Sequence, residues 1–222
     1  MSFWGQLNLM DPVSQIQSEM ILFHDHAMIL LVGIFTVVSL VGVFIILSKF
    51  TSRNIHEAQT LEIVWTIIPA LFLIWLAIPS LRLLYLLDEQ ANSSNTLKTI
   101  GHQWYWSYEM PYISDLSYDS YMVQESDLSK GEYRLLEVDN RTCVPLGVET
   151  SVITTSADVI HAWALPSLGL KMDSVPGRLN LMSMKPEVPG VYYGQCSEIC
   201  GANHSFMPIT VEVITLKDFV SL

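Results

Sequence analysis

From Ala27 to Ser48 the chain carries no charged side chain. At about 1.5 Å of helical rise per residue, those roughly 22 residues span the roughly 30 Å hydrocarbon core of a bilayer. A transmembrane helix is therefore expected over residues 27–48. A second apolar stretch, residues 63–87, is expected to span again. Pro69 and Pro79 interrupt it, but membrane helices tolerate proline where neighbours re-satisfy the freed carbonyls. Thr60 is expected to cap this second helix, with Glu62 in its first turn, where the positive end of the helix dipole favours an anion. Arg82 can snorkel to the interface. Upstream, Asp11-Pro12 reads as a helix start, and no basic segment with a small-residue cleavage site marks a secretory signal. The composition agrees with a membrane component: 50% of residues are hydrophobic and 15% charged, against roughly 25% charged in an average soluble protein. Lys49 and Arg53 lie between the spans, whereas the first 26 residues contain no Lys or Arg. The inter-helix loop should then face the negative-inside compartment, with both termini on the opposite side.

Asn92-Ser93-Ser94-Asn95 marks a linker. It divides an arm plus two-helix hairpin, residues 1–91, from a second domain, residues 92–222. Past the linker, short β-type runs alternate with turn signals. Leu97–Tyr108, Tyr133–Val138, Val144–Val148, Ser151–Thr154, Val191–Gln195 and Pro208–Ile214 read as strands. Lys130-Gly131, Asp139-Asn140, Pro176-Gly177 and Pro189-Gly190 read as turns. Short strands without intervening helices argue for an all-β sandwich or barrel. Residues 216–222 suggest a short terminal helix, and Leu181 to Val188 have no assignable role.

One stretch of this domain carries chemistry: Cys196-Ser197-Glu198-Ile199-Cys200-Gly201-Ala202-Asn203-His204-Ser205-Phe206-Met207. Thiolates and thioethers are soft ligands, and imidazole suits copper. Magnesium and calcium want oxygen ligands, and Met is not a usual zinc ligand. A mononuclear blue-copper site uses one Cys and two His. The second cysteine points instead to two bridging thiolates and a dinuclear copper centre. A disulfide with a packed methionine would explain neither His204 nor Met207. A second imidazole must come from elsewhere, and His161 lies upstream, where a sandwich would return a strand beside the loop. Cys143 is left over and reads as a small buried hydrophobe on a strand.

The loop, the His161 segment, Gly101-His102-Gln103-Trp104-Tyr105-Trp106-Ser107-Tyr108-Glu109 and Pro79-Ser80-Leu81-Arg82 closely resemble the subunit 2 family of cytochrome c oxidases. The resemblance covers nearly the whole chain. It implies a cupredoxin-like Greek-key sandwich after the transmembrane hairpin. It also implies a copper A centre held by His161, Cys196, Glu198, Cys200, His204 and Met207. Glu198 would give its backbone carbonyl to copper, and its carboxylate would help bind magnesium shared with subunit 1. Electrons from cytochrome c would enter at Trp104, with Tyr105 beside it. Alternation along a single strand would put Trp104 and Trp106 on one face and Tyr105 on the other. Glu62 would lie near a proton path in subunit 1, and Lys171 and Asp173 could assist proton exit on the outer side. No haem ligand set is apparent in this chain, so the oxygen chemistry would belong to a partner. The short form favours the mitochondrial inner membrane with the copper domain in the intermembrane space; a bacterial plasma membrane is the alternative.

Net charge is −11, and from Asp88 onward there are 17 acidic and 8 basic residues. Such a surface disfavours nucleic acid and anionic lipid and steers a basic partner. Glu109, Asp115, Asp119, Asp139 and Asp158 are candidates for an acidic face that docks cytochrome c. Three rival readings stand beside this one. A free-standing membrane copper carrier would not co-purify with an oxidase, and a nitrous oxide reductase-type enzyme would need a further histidine-rich domain. A tethered zinc module would be colourless.

Overall fold

A computed structural model describes residues 4–54, 56–89, 93, 95–111 and 116–222. The expected docking residue Asp115 and part of the expected linker lie outside these residues. Two long helices, α1 (Gln15–Leu47) and α2 (Gln59–Asp88), carry the apolar runs. Both are long and apolar enough to cross a membrane, and their spans are exposed on every side. Within them, Thr36 donates its hydroxyl to the Val32 carbonyl at 2.7 Å and Thr66 to that of Glu62 at 2.8 Å. A hydroxyl satisfied inside its own helix costs little in lipid. The hairpin is stitched by Arg82 Nη2 to Glu19 Oε1 at 3.1 Å and by His26 tilted against Trp75 with ring centroids 3.9 Å apart. Arg82, expected to snorkel to the interface, has a carboxylate partner in Glu19.

The caps differ from expectation. α1 begins at Ser14, not Asp11: the Ser14 hydroxyl accepts from the Gln17 N–H at 3.1 Å and donates to the Leu168 carbonyl at 2.7 Å. Serine serves two purposes there, capping the helix and tying it to a distant loop. α2 begins at Gln59, so Thr60 lies inside its first turn rather than capping it. Pro69 and Pro79 are both accommodated within one continuous helix.

The chain forms two compact units, Glu19–Leu86 and a second made of Met1–Ser18 with Leu87–Leu222. The arm therefore belongs with the β domain rather than with the hairpin, a division different from that read in the sequence. Val13 explains this: its N–H donates to the Ser167 carbonyl at 2.9 Å and its own carbonyl accepts from Glu187 N–H at 2.8 Å.

The β domain contains β1 (Asn95–His102), β2 (Tyr105–Met110), β3 (Leu116–Ser120), β4 (Thr142–Pro145), β5 (Thr150–Ser156), β6 (His161–Leu165), β7 (Leu170–Ser174), β8 (Asn180–Met184), β9 (Gly190–Gln195) and β10 (Pro208–Ile214). They form a five-stranded sheet in the order β3-β2-β1-β5-β8, a three-stranded sheet β4-β10-β9 and a two-stranded sheet β6-β7. β1 pairs parallel with β5, β4 parallel with β10, and the remaining pairs are antiparallel. Leu97, Trp106, Val152, Trp163, Leu165 and Ile209 lead the core between the sheets. A short helix α3 (Leu216–Val220) follows, capped by the Thr215 hydroxyl, and ends before the expected Leu222.

Several expected strands are corrected. The run Leu97–Tyr108 is not one strand but the hairpin β1–β2, with His102 paired to Tyr105. Gln103 and Trp104 form its turn, so Trp104 and Trp106 do not share a strand face as alternation had suggested. Tyr133–Val138 is not a strand either; Leu135 has a φ of 66°, and only Val138 bridges Met122. Its backbone bonds are local or isolated, the Val123 N–H donating to the Glu137 carbonyl at 2.9 Å and the Thr210 hydroxyl to the Leu136 carbonyl at 2.8 Å. The Val144–Val148 strand stops at Pro145, ahead of a turn at Gly147. Leu181 to Val188, without assignment in the sequence, contributes the core-facing Met182 and Met184 of β8. Cys143 lies on β4 but is only half-buried, with its thiol pushed above its ordinary pKa by burial and by Glu212.

Candidate metal centre

The antiparallel pair β9–β10 positions the cysteine loop. Pro208 pairs with Gln195, so residues 196–207 form the connection between the two strands. The Ser197 N–H donates to the Ala162 carbonyl at 3.1 Å, which pins the start of the loop to β6 beside His161. The return strand expected from the sequence is thus β6, and it delivers His161 to the loop.

His161 Nδ1 lies 3.8 Å from Cys196 Sγ, Cys200 Sγ lies 3.4 Å from His204 Nδ1, and Cys200 Sγ lies 3.6 Å from Met207 Sδ. The ligand atoms of His161, Cys196 and Cys200 all fall within 4.8 Å of one another, and all three residues are buried. The Glu198 backbone carbonyl is 3.4 Å from Cys196 Sγ. Atoms bonded at about 2.0–2.3 Å to one tetrahedral ion lie roughly 3.3–3.8 Å from each other, so this spacing matches donors that share ions. The two cysteines are free thiols, not a disulfide.

Electrostatics gives the same reading. Burial works against ionisation of Cys196, but hydrogen bonds from His161 and the backbone overcome it and hold this thiol below its usual range. Burial and the neighbouring Cys196 push Cys200 up to about 12. Burial draws the His161 pKa down, yet Cys196 and Asp158 together hold it above its usual value. Two thiolates this close destabilise one another, and a bound cation removes that conflict. The donor set of two Sγ, two imidazole Nδ1, one thioether and one carbonyl fits copper better than zinc or magnesium.

The β1–β2 turn closes over the loop. Trp104 Nε1 donates to the Cys200 carbonyl at 3.3 Å, Gln103 Nε2 donates to the same oxygen at 2.7 Å, and Trp106 Nε1 donates to the Met207 carbonyl at 3.3 Å. Gly201 has a φ of +125°, and a Cβ there would come 3.0 Å from the Trp104 ring, so glycine lets the indole lie against the loop. Tyr105 stacks between His102 and Tyr121, with centroid separations of 4.5 Å on each side.

The described acidic candidates have different partners. Glu109 is paired with Lys98 at 3.1 Å, which offsets its charge. Asp119 accepts from Ser107 Oγ at 2.6 Å and from the Tyr121 hydroxyl at 3.4 Å. Asp139 accepts from the Tyr121 N–H at 2.8 Å, so Tyr121 brings Asp119 and Asp139 together. Asp158 instead bonds to His161 Nε2 at 2.9 Å. Glu62 is exposed in the first turn of α2, and Lys171 and Asp173 are exposed on β7. Sequence reasoning missed Gln103, Tyr121 and Gly101. Of these only Gly101 left a signal, a glycine within a strand, which marks a close approach; a Cβ there would meet His161 Cδ2 at 2.7 Å.

The family model for the periplasmic domain of cytochrome c oxidase subunit II matches residues 95–214, and that for its transmembrane domain matches residues 2–83. The chain belongs to the cytochrome c oxidase subunit II family. Cytochrome c oxidase subunit 2 of Albinaria caerulea is 67% identical over 222 residues, covering 100% of this chain and 99% of that protein. The Branchiostoma floridae protein of the same name is 52% identical over 215 residues, covering 97% and 94%. The crystal structure of the periplasmic domain of subunit II of cytochrome oxidase from Bradyrhizobium japonicum is 46% identical, covers 59% of this chain and 91% of its own, and superposes with a TM-score of 0.55. The expected architecture therefore holds: a two-helix membrane hairpin followed by a cupredoxin-like β domain. The chain is a membrane subunit of cytochrome c oxidase, an oxidoreductase. Membership of subunit II implies a copper A centre, and the His161–Cys196–Cys200 group agrees with it.

Proposed function

We propose that this subunit II chain accepts electrons from reduced cytochrome c at a dinuclear copper A centre and hands them to haem in subunit 1, where oxygen is reduced and protons are pumped. The observation that carries the reading is the buried convergence of both cysteine sulfurs with His161, extended by His204 and Met207. A copper pair bound there supplies a one-electron acceptor and donor with the electron shared over both ions.

The protein's own groups do the rest. Cys196, Cys200, His161, His204, Met207 and the Glu198 carbonyl would hold the copper pair, the two thiolates offsetting its charge. Burial of Cys196, Cys200, Met207 and His161 excludes water, which keeps the site rigid and its polarisation small. Trp104 offers a short route inward from the surface, because its half-buried indole bonds to the carbonyl of Cys200 itself. The exposed carboxylates Asp119 and Asp139 give a basic partner its long-range attraction, with Tyr105 and Tyr121 between them and Trp104. The Glu198 carboxylate contributes to a magnesium site shared with subunit 1, and Glu62, Lys171 and Asp173 assist proton movement at that subunit. The animal relatives support placement in the mitochondrial inner membrane with the copper domain in the intermembrane space.

Charge and aromatic contact are separable. Asp119→Asn should slow association with cytochrome c, and the defect should shrink as salt rises, because the Debye length falls from about 10 Å at 0.1 M to about 3 Å at 1 M. Trp104→Ala should slow electron transfer within the bound complex by about tenfold or more, the equivalent of about 1.4 kcal/mol of barrier, with the salt dependence of binding unchanged. Stopped-flow traces of reduced cytochrome c mixed with the intact oxidase at several ionic strengths measure both. Unchanged transfer in the bound Trp104→Ala complex would leave Trp104 an ordinary contact residue.

A further inference from the structure

We propose that Asp158 is a positioning residue for the metal ligand His161, selecting its tautomer and tying it to the turn that carries Trp104. This rests on the copper reading above and deepens it.

The carboxylate is wired on both oxygens. Asp158 Oδ1 faces His161 Nε2 at 2.9 Å and accepts from the Val159 N–H at 2.6 Å, and the Ser156 hydroxyl approaches it at 3.3 Å. Asp158 Oδ2 accepts from the Gln103 N–H at 2.6 Å. A neutral imidazole donates from one nitrogen and offers a lone pair on the other, while a carboxylate only accepts. In the neutral ring that a metal requires, the proton must then sit on Nε2, which leaves the Nδ1 lone pair directed at the Cys196 side of the centre. The ring has little freedom otherwise. His161 is fully buried, Trp106 meets it edge-on at 5.9 Å, and Gly101 leaves just enough room for its Cδ2.

The second oxygen extends the device. Gln103 and Trp104 both bond to the Cys200 carbonyl, so a single carboxylate links the His161 side of the centre, through one turn, to its Cys200 side. An acid read from the sequence as a docking charge thus has an inward function. A carboxylate behind a ligating imidazole raises the basicity of the ligand. Greater basicity favours the more oxidised metal, so loss of the carboxylate should raise the reduction potential.

The test uses the intact oxidase with Asp158→Asn and Asp158→Glu, and with Asp127→Asn as a charge control outside the network. Copper retention against a chelator and the potential of the copper centre are read without cytochrome c. Asp158→Asn should weaken retention about 10- to 100-fold. A tenfold loss confined to the oxidised form should raise the potential by about 59 mV. Asp158→Glu should recover part of each change, and Asp127→Asn should match wild type. The inference is overturned if Asp158→Asn behaves as Asp127→Asn does. It is also overturned if the assembled Asp158→Asn oxidase lacks copper at every supplied concentration, because a positioning group weakens a site without deleting it. A wild-type oxidase without a copper pair in this subunit would instead overturn the functional reading itself.

Discussion

Serine in place of Cys196 or Cys200 should abolish the mixed-valence copper signal and reduce electron uptake from cytochrome c to background. A serine hydroxyl is a hard oxygen that stays protonated near neutral pH, so it neither bridges nor offsets the charge of two copper ions. The loss should exceed the roughly 10- to 100-fold expected when only an outer partner of a ligand is removed. Cys143→Ser, on β4 and outside the ligand group, should leave the signal intact. Electron paramagnetic resonance of the three variant oxidases separates these outcomes. An unaltered dinuclear spectrum in Cys196→Ser or Cys200→Ser would remove the bridging assignment.

Gly194→Ala should be the most damaging single-methyl change in the β domain. A Cβ at Gly194 would lie 1.8 Å from the Ala164 carbonyl oxygen and 3.0 Å from its carbon. Neither group can yield easily: Gly194 is in β9, two residues before Cys196, and Ala164 is in β6, three residues after His161. The methyl forces apart the two strands that bring the ligands together. Overpacking a well-filled core typically costs about 1–3 kcal/mol, and a backbone clash this close belongs at or above the upper end. At about 2–4 °C per kcal/mol for a protein of this size, thermal unfolding should occur several degrees lower, with loss of copper. Gly42→Ala, where no group beyond its own stretch of helix lies within 4 Å of the added Cβ, is the control and should be neutral. Normal stability and full copper content in Gly194→Ala would contradict the packing described for β6 and β9.

The membrane hairpin was legible because its signal is long and local: two apolar runs, each within one helix. The cysteine loop was legible for the same reason, since five donors fall between Cys196 and Met207. What the sequence concealed depends on contacts between distant strands. β6 reads His-Ala-Trp-Ala-Leu and is buried at every position, so it shows no alternation, and only its place upstream of the loop suggested a strand there. Tyr133–Val138 looked like a strand, but it makes only scattered bonds, to the Val123 N–H and the Thr210 hydroxyl among others, and no ladder. Asp158 looked like a surface acid because nothing local announces that its carboxylate turns toward His161. Asp119 and Asp139 are 20 residues apart in sequence and are linked through Tyr121 and Asn140. Gly101 and Gly194 each mark a close approach whose other side is invisible until the sheets are stacked.

The central claim is that the buried sulfur and imidazole group holds a copper pair. Copper analysis combined with electron paramagnetic resonance on the intact oxidase tests it most directly. The account predicts two more copper ions per complex in wild type than in Cys196→Ser, and a signal whose hyperfine pattern reports one unpaired electron shared by two equivalent copper nuclei. A difference of one copper with a mononuclear signal, or zinc in place of copper with no signal, would contradict it.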